Sequence, residues 1–517
     1  MSMINRRQLM WSGAVAALAA SSGRGGAQTT DANGPQAGAA GNGGNFEPGH
    51  VVDLARQLAM RPFTAPPVDL PDQLANLTYD QYVGIRARPE GLLWSGEQRG
   101  FVVEPLPRGA LFKDHVVLYL VVDGQVQRAP YKSANYDFGA LPAPPDGKDI
   151  GFSGFRIFAG NDGRPVQMAI FQGATFYRAM ARGQNLGTVA RTLTLRPGEV
   201  KGEEIPVFRA FWIEQPALAA ETLVIHALIE SESVTAAVRY TVRPGDMTIV
   251  DVEVTMFTRV AIDHVGWGGH AGTFLFGPAS QRNVDDVRAA VFEVNGLQVS
   301  NGRGEWLWRP VVNPQQLQLS AFVDSSPKGF GLLQRERSFA AFQDDSQRFD
   351  RRPSVWVEPL SDWGEGSVQL IEIPTESDVN DNIIAYWRPK TPLAAGAEAT
   401  YAYRQYWCWS IPEAPPLARV NLTRTGKGRG GRRRRFLVEF VGDALADPGR
   451  LAELKPALGA GKGAAITNLK LWPYPERKVM RVAFELDPGD EPLTELRLVL
   501  EAAGKPLSET WLYRWTA

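Results

Sequence analysis

The 517-residue chain holds one cysteine, Cys408, so no intramolecular disulfide can form. Histidine is nearly as scarce: His50, His115, His226, His264 and His270 are the whole set, and none stands in HxH or HExxH spacing. With no second cysteine, the usual zinc-binding pattern is missing, and neither a metal site nor a cofactor is expected. There is no GxxxxGK[ST] loop and no GxGxxG between strand and helix, which removes the common nucleotide signatures. The absence of GxSxG removes the commonest serine hydrolase. No run approaches about 18 apolar residues, so stable membrane insertion is not expected. Charge of either sign is not in excess: Lys+Arg 55 against Asp+Glu 56 gives a net charge of -1. Nothing global therefore draws the chain to nucleic acid or anionic lipid, and neither is an expected partner.

What is present is the composition of a folded protein, 44% apolar and 21% charged, long enough for two or three domains. Residues 1–27 read as a twin-arginine export signal. Asn5-Arg6-Arg7-Gln8-Leu9-Met10 precedes an apolar run from Trp11 to Ala20, then small residues to Ala27. Its removal takes away Arg6, Arg7 and Arg24, so the mature charge is -1 minus 3, or -4. Periplasmic location with the signal cleaved is the expectation, and a chain with one cysteine suits a route that carries folded cargo. Residues 28–45, rich in Gly, Ala and Asn, read as a flexible leader.

Helical spacing of Val51, Leu54, Ala55 and Leu58 predicts a helix near the start of the ordered part, and a second short helix is expected around Asp72 to Arg86. After that the pattern turns to short strands. Asp123-Gly124 between apolar runs is a hairpin signal, and TIVDVEVTM alternates with period two. The expectation is a large antiparallel β-sandwich over 46–412, a proline-rich linker over 413–420 and an immunoglobulin-like sandwich over 421–517. Cys408, in an aromatic strand-like run, reads as a buried inert thiol. The basic run KGRGGRRRR, 427–435, reads first as a hairpin tip and second as a contact for an anionic surface or polymer.

With metal, nucleotide and serine chemistry set aside, hydrolysis by carboxylates remains. Glycoside cleavage needs one carboxylic acid for the leaving oxygen and a second group to activate water or attack the sugar. IPTESDVNDNIIAYWRP (373–389) crowds Glu376, Asp378 and Asp381 between a proline and an aromatic pair. A sugar also needs aromatic faces with charged partners, and the 14 tryptophans cluster. Trp306 and Trp308 fall on one strand face, and Trp356, Trp363, Tyr386 and Trp387 follow among acids and arginines. For any single tryptophan, core packing is the competing reading.

Seven blocks stand in order along the chain: FRAFWIEQP (208–216), FLFGP (274–278), NGRGEWLWRP (301–310), GFGLLQRER (329–337), RRPSVWVEP (351–359), IPTESDVNDNIIAYW (373–387) and LSETWLYRW (507–515). On these blocks the sequence, from about Phe46 to its end, resembles the periplasmic glucan biosynthesis proteins G and D; the twin-arginine signal looks more like D. The resemblance implies an all-β fold, a large mutarotase-like sandwich of the carbohydrate-active kind followed by an immunoglobulin-like one. It implies an inverting enzyme acting on the β-1,2-glucan of osmoregulated periplasmic glucans, by internal hydrolysis or by chain transfer. In the family the general acid lies in an Asn-Asp-Asn element, here Asn380-Asp381-Asn382, which makes Asp381 the proton donor. Glu293 stands where hydrolytic members have an aspartate that receives the proton of the attacking water through a relay. Phe349 stands where an enteric homologue has a tyrosine. The expected substrate cleft comprises Trp306, Trp308, Arg309, Phe349, Arg351, Arg352, Trp356, Asp378, Tyr386 and Trp387. Transglycosylation and a non-catalytic glucan-binding or assembly role stay open, as does a homodimer.

Overall fold

A computed structural model of the chain describes residues 44–517 except 67–68, 146, 148, 161–164, 200–201 and 281–284. The expected export signal, 1–27, and residues 28–43 of the leader lie outside the described residues. The fold is all-β, with 49% strand and 10% helix.

The alternation in TIVDVEVTM does what period two dictates. Thr248–Thr258 is a strand on which Val250, Val252, Val254 and Met256 are buried while Asp251 and Glu253 point the other way. The chain divides into two compact units, and this strand lies in the first, which comprises Met1–His270, Pro359–Gly366 and Tyr386–Cys408. Its neighbours form an antiparallel ladder in the order Glu398–Cys408, Thr248–Thr258, Val234–Arg243, Leu223–Glu230, Val207–Glu214. Val117–Val122 then joins in parallel and turns back through a hairpin to Gln125–Ala129. The hairpin turns at Asp123-Gly124, where both residues have positive φ, 50° and 77°, the mirror-image turn that matches strand twist. A second antiparallel sheet runs Phe101–Pro107, Phe152–Ala159, Val166–Gln172, Phe176–Ala179, Val189–Arg191. The two sheets of this sandwich close on aromatic edges: Phe155 meets Phe211 and Phe171 meets Tyr240, each with centroids 5.0 Å apart. The expected first helix is Pro48–Ala59, and it lays Val51 and Ala55 on the ladder against Tyr119, Trp212 and Phe257. The second expectation is met by two short helices, Asp72–Ala75 and Tyr79–Gly84. Cys408 is buried.

His270, at the end of this unit, is wholly buried, and burial pushes its pKa down to about 4. Its Nδ1 lies 2.9 Å from the carbonyl of Gly268. Because the folded value lies below the ordinary 6.5, the fold favours the neutral ring. That stability is complete above pH 6.5 and is lost as pH falls through the window down to about 4. We expect His270→Gln to remove about 1.4 kcal/mol per pH unit from the pH dependence of unfolding in this window. Urea melts of both proteins at pH 7 and pH 5 check it; equal slopes refute it.

The second unit comprises Ala271–Glu358, Ser367–Ala385 and Trp409–Ala517. The expected linker, 413–420, falls inside this unit, which joins the C-terminal strands to those after Ala271. One sheet runs Lys455–Ala460, Leu493–Ala502, Thr510–Thr516, Trp306–Pro310, Gly296–Ser300, Gly329–Leu333, Ser354–Pro359. Four antiparallel strands, Arg419–Lys427, Arg434–Val441, Val479–Asp487 and Ala465–Tyr474, form another. The core between them is Phe436 and Phe484 against Trp511 and Tyr513, with centroids from 5.1 to 6.1 Å. Among the described residues no helix is long and apolar enough to cross a membrane.

Candidate active site

The acidic stretch is a closed loop in the second unit. Ile373 N–H donates to the Asn382 carbonyl at 2.9 Å, and the Asn382 amide donates back to the Ile373 carbonyl at 3.0 Å. Asn382 Oδ1 also accepts from Phe274 N at 2.9 Å. Asn313 clamps the other end, accepting from Thr375 N at 3.0 Å and donating to the Thr375 carbonyl at 2.8 Å. A loop rich in polar residues folds this way because each inward amide satisfies backbone groups that burial would otherwise strand. The result holds the half-buried Asp381 at the loop's end. Thr273 Oγ1 reaches the Asn380 carbonyl at 3.0 Å and Asp381 Oδ1 at 3.4 Å.

Asp378 and Glu376 have different fates. Asp378 is buried and takes a 2.7 Å bond from Arg288 Nη1, while Asp286 binds the same guanidinium from its other side. Burial works against the charge on Arg288, but the two aspartates outweigh it and raise its pKa. The charge of Asp378 is therefore met by Arg288, and Asp378 anchors the loop. Glu376 is exposed.

Glu293 is also joined to Thr273. It follows the short strand Val291–Phe292, and its backbone N–H donates to the Thr273 carbonyl at 2.8 Å. Its side chain is fully buried, with Arg352 Nε 3.9 Å from Oε1. Burial pushes Arg352 down to about 9, so it still carries its charge at neutral pH beside Glu293. Phe349 is buried in the same neighbourhood: Arg352 lies 5.8 Å from its ring, and Phe342 packs between it and Phe292.

The remaining expected residues separate into groups. Trp306, half-buried, stacks on the buried Trp356 with centroids 5.8 Å apart and planes 13° apart. Arg351 is exposed. Trp308 is buried beneath Arg335, whose guanidinium lies 3.5 Å from the ring. Arg309 is buried in an ion pair with Glu372 at 3.1 Å. Both read as core residues of this unit. Tyr386 and Trp387 belong to the first unit and are fully buried there. The Tyr386 hydroxyl is 2.8 Å from His264 Nε2, and His264 Nδ1 is 3.0 Å from Glu199; Trp387 packs against Trp363. Among the described residues no group of His, Cys, Asp and Glu is arranged to hold a metal ion.

Comparison with known proteins decides the family. The description "Periplasmic glucan biosynthesis protein, MdoG" matches residues 46–515. The chain belongs to this family. It is similar to "Glucans biosynthesis protein G" of Rhodopseudomonas palustris strain BisA53, 45% identical over 99% of this chain and 100% of the relative. The proteins of the same name from Bradyrhizobium diazoefficiens and Shewanella sp. strain W3-18-1 are 44% and 41% identical. They align over 91% and 92% of this chain and over 93% and 87% of their own lengths. These relatives bear the G name; the leaning towards D rested on the export motif alone. A role in periplasmic glucan biosynthesis follows from family membership.

For this glucan biosynthesis protein, sequence reasoning passed over Thr273, Arg288 and Asn313. Thr273 stands one residue before the FLFGP block, so a signal lay beside it. Arg288 acts on Asp378 across 90 positions, and no local spacing announces such a pair.

Proposed function

We propose that the chain is an inverting endo-β-1,2-glucanase of periplasmic glucan biosynthesis, exported by its twin-arginine signal. Asp381 donates its proton to the glycosidic oxygen as the C1–O bond breaks. Water attacks C1 from the opposite face, and Glu293 receives the water's proton through a relay. The observation that supports this is the position of Thr273: its hydroxyl reaches Asp381 Oδ1 at 3.4 Å and its carbonyl accepts the backbone N–H of Glu293 at 2.8 Å. Two carboxylates tied to one residue, one half-buried and one fully buried, give the asymmetry that acid and base roles require. The burial of Glu293 argues for a relay, and Arg352 stands 3.9 Å from its carboxylate as the nearby cation. Trp306, with its ring partly open, is the best placed of the expected aromatics to receive a sugar face.

A second reading, transfer to an acceptor sugar, is favoured by Phe349. Its ring offers no hydroxyl to order a water beside Arg352. Linear β-1,2-glucan incubated with the mature protein and followed by chromatography and anomer-resolved NMR separates the readings. We expect shortened chains released first as the inverted anomer. Longer or cyclic products mean a transferase, and a polymer bound but unchanged means a binding or assembly factor.

A further inference from the structure

The basic run KGRGGRRRR is indeed the tip of a hairpin, with Lys427 paired across from Arg434. It also lines a cleft of about 700 Å³ in the second unit, within the size range of ligand sites. Lys427, Arg432, Arg433, Arg434 and Arg514 bring five cations to this cleft, and no Asp or Glu side chain is among its lining residues. Two of the five are compensated from outside: Arg433 pairs with Asp487 at 2.9 Å and Arg514 lies 3.5 Å from Glu495. Among the described residues no carboxylate pairs with the other three. Arg432 donates to the carbonyls of Gly489 and Glu491 at 2.9 and 2.8 Å, and Arg434 reaches only the Thr425 hydroxyl at 3.4 Å. Lys427 is exposed. Three cations gathered in one concave surface repel one another, and an anionic occupant relieves that repulsion.

The rest of the lining tells what kind of anion. Gln315 adds an amide that suits hydroxyl groups, and Arg432 lies 5.5 Å from the ring of Trp515. Asn313 is the same residue that clamps Thr375 in the acid loop, so the cleft and the Asp381 loop share a wall.

We propose that this cleft binds the oxyanion groups, phosphate esters or carboxylates, of an anionically substituted saccharide and holds that chain beside the acid loop. The saccharide part rests on the glucan reading above; the charge preference does not. Arginine supplies planar, paired donors for such oxyanions, and lysine adds a point charge.

Calorimetric titration tests it with four probes: inorganic phosphate, a neutral β-1,2-gluco-oligosaccharide, the same oligosaccharide carrying a phosphate ester, and the same oligosaccharide oxidised to carboxylates. At low salt either anionic form should bind about tenfold tighter than the neutral one, with the difference shrinking as salt screens the cations. Which of the two binds tighter identifies the oxyanion. K427Q/R432Q/R434Q should lose the advantage while cleaving neutral glucan as the wild type does. K427Q/R434Q leaves the Arg432 bonds to Gly489 and Glu491 intact and should lose most of the advantage without any change in melting temperature. The proposal is overturned if the double variant keeps the full advantage, if anionic and neutral forms bind alike, or if inorganic phosphate alone binds as tightly as the phosphorylated saccharide. Should the wild type fail to cleave neutral glucan, the glucanase reading falls, and the binding difference still decides the cleft.

Discussion

Asp381→Asn lowers turnover of linear β-1,2-glucan by about 10²- to 10⁴-fold, the scale of removing a positioned general acid, while glucan binding stays within a few-fold of wild type. The substitution is suited to the test because the loop does not depend on the ionised carboxylate. Closure rests on Asn382, Ile373, Phe274, Thr375 and Asn313, and an asparagine carbonyl still accepts from Thr273 Oγ1. The variant should therefore fold and melt as the wild type, and the loss should lie in kcat. A variant that turns over glucan at near wild-type rate would show that the proton comes from elsewhere.

The second large effect is on stability. Arg309 and Glu372 form a pair at 3.1 Å, with Arg309 1% and Glu372 0% exposed. Val312 N also donates to Glu372 at 2.7 Å. Removing one partner of a buried pair leaves the other charge without compensation, at a cost of about 3–5 kcal/mol. Arg309→Met should lower stability by that amount. Burial already raises the pKa of Glu372, with Arg309 opposing it. A raised carboxyl contributes stability that is present below its unfolded value of 4.5 and lost as pH rises through the folded one. With Arg309 gone the folded value rises further, so the deficit of the variant should shrink as pH is lowered from 7 towards 4.5. Arg309→Met/Glu372→Leu should recover much of the loss, because it removes both charges together. Urea unfolding across pH measures all three, and a stable Arg309→Met protein with weakened glucan binding would instead return Arg309 to the substrate cleft.

That outcome bears on why the tryptophans and arginines near Trp306 were hard to sort from sequence. Trp306 and Trp308 share a strand face by alternation, yet one has an open ring stacked on Trp356 and the other lies under Arg335. Alternation assigns a face; it does not say what covers that face. Tyr386 and Trp387 adjoin the acid loop in sequence, but they belong to the first unit and are buried there against His264 and Trp363. Proximity along a chain fixes distance for only a few residues.

The sequence by itself determined the strand-rich class, the hairpin at Asp123-Gly124, the first helix and the family, because period, turn chemistry and ordered blocks are local properties. It also singled out the carboxylates: Asp381 stands within one of those blocks, and Glu293 stands where the family resemblance places an aspartate. Only the tertiary structure decided that Asp378 is held by Arg288, that Asp381 and Glu293 meet at Thr273, and that the second unit gathers residues 271–358 with the C-terminal strands. Each of these rests on pairings between segments that are not neighbours in the sequence. The charge or hydrogen bond that makes it favourable exists only after the backbone has brought the partners together and excluded water from between them.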